Sequence, residues 1–195
     1  VTDRYGGYSP LNVRHQYCFV HLLRDVKEEE RCFPDDPEVS SFAADIKPLL
    51  ADAVSLRGLN LQAEEYKRRA RALKARIMET CNRQANHPSV QYIQDIFREK
   101  KDSLFHWVKS PLIPADNNYA ERELRPTVIA RKISFGSQSE RGMATREILM
   151  TVMHTAKARG HDPAEFLERV LNVLAADKSA DISSMLPEKK SGKAA

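Results

Sequence analysis

Apolar residues fall three and four positions apart over most of this sequence, and that spacing predicts helices separated by proline- and glycine-rich breaks. The first stretch is the exception. Val1-Thr2-Asp3-Arg4-Tyr5-Gly6-Gly7-Tyr8-Ser9-Pro10 reads as a short strand end and a Gly-Gly turn, with Asp3 where strand gives way to loop. Residues 15–19 read as a second short strand with Tyr17 and Phe19 on one face. Residues 20–31 then turn helical, with Val20, Leu23 and Val26 as an inner row. Phe33-Pro34-Asp35-Asp36-Pro37 is a breaker. Beyond it Phe42, Ile46, Leu49, Leu50 and Val54 recur at helical spacing, with Pro48 expected to kink or interrupt the run. Gly58-Leu59-Asn60 punctuates it.

Residues 61–83 form a long, very basic helix. Tyr66, Ala70, Leu73, Ile77 and Cys81 make a narrow stripe, the seam of a helical hairpin or coiled coil. Pro88 starts a helix that carries Val90, Ile93, Phe97, Leu104, Trp107 and Val108 up to Ser110, and the two helices are expected to pack antiparallel as an arm. Ser110-Pro111-Leu112-Ile113-Pro114 is a stiff connector into a capped helix at Asp116 or Asn117. Residues 127–135 suit a helix or a strand; a continued helix breaking near Ser134 is the expectation. After the polar turn 136–142, residues 143–159 form an amphipathic helix burying Ile148, Leu149, Val152, Met153 and Ala156, and Gly160 stops it. Asp162-Pro163-Ala164-Glu165 starts a last helix that buries Phe166, Leu167, Val170, Leu171 and Leu174. From Asp177 the Ser/Lys/Ala-rich tail is expected to be disordered.

At 195 residues there is room for one sizeable domain, or one domain with an insertion. With 42% hydrophobic and 30% charged residues the composition is that of a soluble globular protein. Net charge is only +4, but the cations cluster. Lys67, Arg68, Arg69, Arg71, Lys74 and Arg76 crowd one helix, as a solvated face or as phosphate contacts; both readings are open. Three cysteines without framework spacing suit a reducing cytoplasm. No signal peptide and no membrane-spanning apolar run is visible. The sequence starts at Val1 and is already patterned by Asp3, so a piece of a longer protein is expected. Neither a Gly-rich phosphate loop before a helix nor a Ser-His-Asp signature is present.

Three features carry candidate chemistry. Asp3 ends a strand, where α/β sheets present functional side chains, and it equally suits a turn-capping aspartate. Cys18 and His21 form a Cys-x-x-His pair, a weak metal half-site because no second Cys/His pair accompanies it, and a buried thiol with a hydrogen-bonded histidine near the sheet edge is the expectation. In Asp116-Asn117-Asn118-Tyr119-Ala120-Glu121-Arg122-Glu123-Leu124-Arg125-Pro126 an acid near a helix start is followed by Arg122, Arg125, Arg131 and Lys132. A carboxylate beside a row of cations is what a metal-dependent enzyme acting on nucleic-acid phosphates needs. A capped surface helix with ordinary salt pairs would read the same way.

Taken together these segments resemble the DDE transposases of the insertion-sequence-66 family. Thr2-Asp3-x-Tyr5-x-Gly7-Tyr8 resembles the family's second catalytic segment, and Cys18-Phe19-Val20-His21-Leu22-Leu23-Arg24 the segment that follows it. Asp116-Asn117-Asn118-x-Ala120-Glu121-Arg122-x-Leu124-Arg125-Pro126 is similar to its glutamate segment. Val128-Ile129-x-Arg131-Lys132, Gly136-Ser137, Glu140-Arg141-Gly142, Thr155-Ala156-Lys157 and Gly160-x-Asp162-Pro163 continue the likeness. The resemblance implies an α/β fold, predominantly helical in this chain: a partial RNase H-like fold with a helical-hairpin insertion. Its divisions are a partial core at 1–34, a helical insertion with the basic arm at 35–110, the remainder of the core with the glutamate helix at 111–176, and the tail at 177–195.

Under the resemblance Asp3 matches the second catalytic acid and Glu121 the third, both as ligands of Mg²⁺ (or Mn²⁺). Glu123 competes, but two positions along a helix turn it by about 200°, so both cannot face one site. Arg122, Arg125, Arg131, Lys132 and Arg141 would hold DNA phosphates. The implied partners are transposon-end and target DNA and further copies of the protein in a transposition complex, with no membrane. The implied location is the bacterial cytoplasm, at the nucleoid. The family's first acid lies on an earlier strand, so the chain by itself is expected not to cleave DNA. Two other readings stand beside this one: a non-catalytic nucleic-acid-binding module built on the basic arm, and a helical protein whose arm mediates assembly.

Overall fold

The computed structural model describes residues 1–8, 10, 12–185 and 188. The chain divides into two compact units, Val1–Tyr119 and Ala120–Ala195.

Unit 1 is built on α1 (Phe19–Cys32), α2 (Pro37–Ser55), α3 (Ala63–Asn82), α4 (Pro88–Glu99) and the single turn α5 (Lys101–Leu104). Its core takes Phe19, Leu22 and Val26 from α1, Ile46 and Leu50 from α2, Ala70, Ile77 and Cys81 from α3, and Ile93 and Phe97 from α4. The stripe on α3 thus faces a core shared by four helices. Phe19 sits at its centre, edge-on to Phe97, Phe105 and Trp107 with ring centroids 6.2, 6.0 and 5.7 Å away. This edge-to-face geometry places positive ring edges against negative faces. Asp36 starts α2 by accepting from the backbone N–H groups of Glu38 and Val39, with Pro37 at the first helical position.

Local expectations differ from the structure at three places in unit 1. The α/β reading is corrected: the described residues are predominantly helical and contain no strand. Where two short strands were expected there is one parallel bridge, Thr2 to Tyr17. The reason lies in where the backbone bonds go. Tyr17 donates to Ser103 O of α5 at 2.7 Å and Phe19 to Ala115 O in a loop at 2.8 Å, so carbonyls of α5 and a loop, not a neighbouring strand, take these amides.

Second, α2 is one helix through Pro48. Pro48 and Ala44, whose carbonyl loses its helical partner, are both exposed, so the interruption lies on the solvent side of the helix. Third, the helix expected from Pro88 to Ser110 ends at Glu99 and gives way to α5 and a 3-10 turn, His106–Lys109. The Gln16 side chain supports that break. It donates to Leu104 O at 2.9 Å and accepts from the N–H groups of His106 and Trp107 at 2.8 and 3.2 Å. These bonds stand in for helical ones and let Leu104, Phe105 and Trp107 all turn inward.

Unit 2 holds most of α6 (Asn118–Ile133), with α7 (Glu140–Ala158) and α8 (Pro163–Ala176). The ambiguous stretch is helical to Ile133. There Phe135 and Gly136 take positive φ values of 55° and 86°, which ends the helix just past Ser134. Ser139 caps α7 and Asp162 caps α8. Gly160, at φ 84°, closes α7: its N–H donates to Lys157 O and that of His161 to Ala156 O, both at 3.0 Å.

Among the described residues of unit 2 few are buried: Ala156, Phe166 and Val170, with Val152, Leu174, Ile182 and Met185 packed beside them. Ile148, Leu149 and Leu171, expected inside, are exposed. Of the tail expected to be disordered, residues 177–185 and 188 are described: Ser183–Met185 form a 3-10 turn, with Ile182 and Met185 packed beside the buried cluster, and the rest of the expectation falls on residues outside those described. No helix among the described residues is long and apolar enough to cross a membrane.

Candidate functional site

Asp3 sits in unit 1 immediately after the Thr2 bridge. Its Oδ1 accepts from the Tyr5 backbone N–H at 3.1 Å, a turn bond that fixes the carboxylate's direction while leaving it half-buried. The neighbouring Arg4 guanidinium is paired with Asp25 on α1. Burial pushes the Asp25 carboxyl above its ordinary range, and the Arg4 charge and hydrogen bond pull it partly back. Sequence reading missed this pair. The signal was an acid at the fourth position after His21, next to Val26 on the inner row.

Cys18 is buried, and its Sγ accepts from the Asn117 backbone N–H at 3.3 Å. Next to it the Phe19 N–H reaches Ala115 O. The start of α1 therefore anchors the connector that leads into the glutamate segment. Asp116 completes that entry by accepting from the Asn118 N–H at 2.8 Å.

On α6 the two glutamates separate. Glu123 faces α7, with His154 Nδ1 at 3.4 Å and Lys157 Nζ at 3.7 Å. Thr127, one turn on, lies on that side too. Its hydroxyl meets Met150 Sδ at 3.8 Å, and its carbonyl accepts from Arg146 at 3.1 Å. At about 100° per residue, Glu121 lies about 160° from the Glu123–α7 side in one sense and 200° in the other. Arg125 and Lys132 fall within about 40° of Glu121, and Arg122 within about 100°. Arg131 does not join them. It turns toward a cavity of about 620 Å³ lined also by Leu124, Thr127, Met143, Arg146 and Met150. Arg141 is exposed at the start of α7.

Asp3 belongs to unit 1 and Glu121 to unit 2. Both offer carboxylate oxygens, the hard donors that Mg²⁺ takes, usually one or two from protein with water and substrate phosphate completing the shell. Among the described residues no group of three or more His, Cys, Asp and Glu side chains could hold a metal ion by itself. Cys18 and His21 thus have no third ligand beside them there.

The family described as "Transposase IS66 family" matches residues 1–145. Three proteins of Sinorhizobium fredii are similar, each named only as uncharacterized. Protein y4qI is 30% identical over 89 residues, 45% of this chain and 16% of its own length. Protein y4jO is 38% identical over 61 residues, 31% of this chain and 19% of its own. Protein y4jD is 24% identical over 182 residues, 84% of this chain and 34% of its own. The chain spans about a third or less of the length of these relatives. No solved structure matches. Since the family match runs from the first residue through α6 and into α7, well over half of the 195 residues, the chain belongs to the IS66 transposase family.

Proposed function

We propose that a longer protein carrying this segment is a DDE-type DNA transposase, cleaving and joining phosphodiester bonds at transposon ends with Asp3 and Glu121 in its active site. What supports the reading is the helical phase of α6. Glu123 faces His154 and Lys157, and Glu121, on the opposite side, shares its face of the helix with Arg125 and Lys132. A carboxylate among cations on one helix face can meet a phosphodiester whose oxygens the cations hold.

In this reading Asp3 and Glu121 would hold Mg²⁺ or Mn²⁺, which would supply Lewis-acid polarisation of a phosphoryl oxygen for in-line displacement by water or a DNA 3′-hydroxyl. The chain's own residues do the rest. The Tyr5 N–H orients the Asp3 carboxylate. Arg122, Arg125 and Lys132 position the backbone of the DNA, and Arg131 and Arg141 extend that contact beyond the helix face. The finer fold belongs to the same proposal: an RNase H-like core formed by 1–34 and 111–176, with 35–110 inserted. So do a cytoplasmic, nucleoid-associated site of action and self-association at paired ends.

The test uses the longer protein in a strand-transfer assay. Glu121→Gln and Asp3→Asn are expected to reduce transfer by at least about 100-fold, the scale of a lost charge-stabilising group. Glu123→Gln should stay near the parent. Transfer retained by Glu121→Gln and lost by Glu123→Gln overturns the assignment.

A further inference from the structure

The cations of α3 do not form one surface. Lys67 pairs with Glu64 at 2.8 Å, and Arg68 and Arg69 share Glu65 at 2.8 and 2.6 Å. Those bonds hold the Glu65 carboxyl down at about 2. Among the described residues Arg71 and Lys74, further along, have no such partner within 4.0 Å; Arg71 interacts with Glu64 at longer range. Instead they line a concavity of about 460 Å³ together with Lys101. A second concavity of about 400 Å³ is lined by Arg14, Lys74, Lys101 and Lys109, with Asp102 as its acid. Lys74 and Lys101 border both, so the two adjoin.

We propose that this concave face of unit 1, carrying Arg14, Arg71, Lys74, Lys101 and Lys109, binds consecutive phosphates of a DNA backbone, separately from the cations of α6. Five cations against one acid, in a molecule of net charge +4, form a local field that solvent screens less in a concavity than on an open surface. Lys74 is held in place, with Nζ 5.1 Å from the Phe105 ring centroid over its face, so its charge is positioned and not free to sweep through solvent. The field registers on a neighbour. Burial, Lys109 and Arg14 together hold the His106 imidazole below its ordinary pKa, and Asp102 offsets them in part. A polyanion with regularly spaced charges fits two adjoining cationic hollows better than a single small anion, because each counterion it releases adds to affinity.

This inference goes beyond the proposed chemistry and does not rest on it, since it requires no cleavage. The test is fluorescence anisotropy of this chain with a short labelled DNA duplex of arbitrary sequence, over a series of NaCl concentrations. The slope of log K against log salt is expected to flatten by about 2–3 in Lys74→Gln/Lys101→Gln/Lys109→Gln, about 0.9 per lost phosphate contact. The exposed single variant Lys101→Glu, with the least risk to folding, should flatten it by about 1. Lys67→Gln/Arg68→Gln/Arg69→Gln removes as many charges from the paired face and should leave the slope near the parent's. The proposal is overturned by no salt-dependent binding in the parent, by an unchanged slope in both patch variants, or by equal flattening in the control, which would mean net charge alone. Loss confined to Arg122→Gln/Arg125→Gln/Lys132→Gln would place DNA on α6 and overturn it too. Strand transfer plays no part in the readout, so failure of the transposase reading leaves this result standing.

Discussion

The two units solve the problem of burying apolar surface to different extents. Unit 1 closes four helices and a broken segment around Phe19, with Phe97, Phe105 and Trp107 on its edges. Among the described residues unit 2 buries three, and α6 buries none. Ile133 is 75% exposed, Phe135 89% and Ile148 64%. Each side chain of that size is worth about 1.5–3 kcal/mol when fully buried, so unit 1 carries its own stabilisation and unit 2 leaves much of its share unclaimed. Amphipathic spacing shows which residues are able to go inside. Whether they do depends on a partner surface, and among the described residues unit 1 supplies far more of it than unit 2.

Large truncations in the two cores test that contrast most severely. Phe19→Ala or Trp107→Ala should cost about 3–5 kcal/mol and unfold unit 1, read by urea denaturation with near-ultraviolet circular dichroism. Phe166→Ala should cost less, about 2 kcal/mol, because its small cluster can collapse around the gap. Equal losses would mean unit 2 is packed as well as unit 1.

Next in size is Gln16→Leu, which leaves the Leu104 carbonyl and the His106 and Trp107 amides without their partner. A loss of about 3 kcal/mol is expected, confined to the transition of unit 1. A smaller effect comes from a matched pair of caps. Asp36 and Asp162 each accept from two backbone amides ahead of a proline, so Asp36→Ala and Asp162→Ala should each cost about 1 kcal/mol. The helix content lost should nonetheless be greater for Asp162→Ala, since α8 has less packing to hold it. Equal loss of far-ultraviolet signal would argue against that.

The gentlest probe is thiol chemistry, because all three cysteines lie in unit 1. Cys32 is exposed, whereas Cys18 and Cys81 are buried. Burial pushes the Cys81 thiol up to about 12. The native state therefore keeps a proton that the unfolded chain releases near pH 8.5, and unit 1 should lose stability as pH rises from there toward 12. At pH 8 a thiol reagent should label Cys32 promptly and the other two only when unit 1 opens. Melting of unit 2 alone should leave Cys18 and Cys81 unlabelled.

What could be read in the sequence was whatever local chemistry decides. Asp162-Pro163-Ala164-Glu165 carries cap, proline and acid in sequence, and α8 begins there. The stripe from Tyr66 to Cys81 gave the inward face of α3. The break after Glu99 was not readable, because Gln16, nearly ninety residues away, supplies the bonds that replace the helix. The basic run of α3 read as one surface until the placement of Glu64 and Glu65 divided it. On α6 helical phase separates Glu121 from Glu123, but the partners of Glu123 come from another helix, where no local pattern announces them.

The bond between Gln16 and the far end of its unit has a consequence for the order of events during synthesis. Gln16 and Trp107 are 91 residues apart. At about 5–20 residues per second, the ribosome makes the second partner roughly 5–18 s after the first. Through that interval the Gln16 side chain lacks the Leu104, His106 and Trp107 groups it bonds, and Phe19 has no aromatic neighbour from beyond residue 97 to pack against. Helices α1 to α3 can form as they emerge, yet Gln16 and Tyr17 gain their last hydrogen bonds only when residues 103–107 arrive.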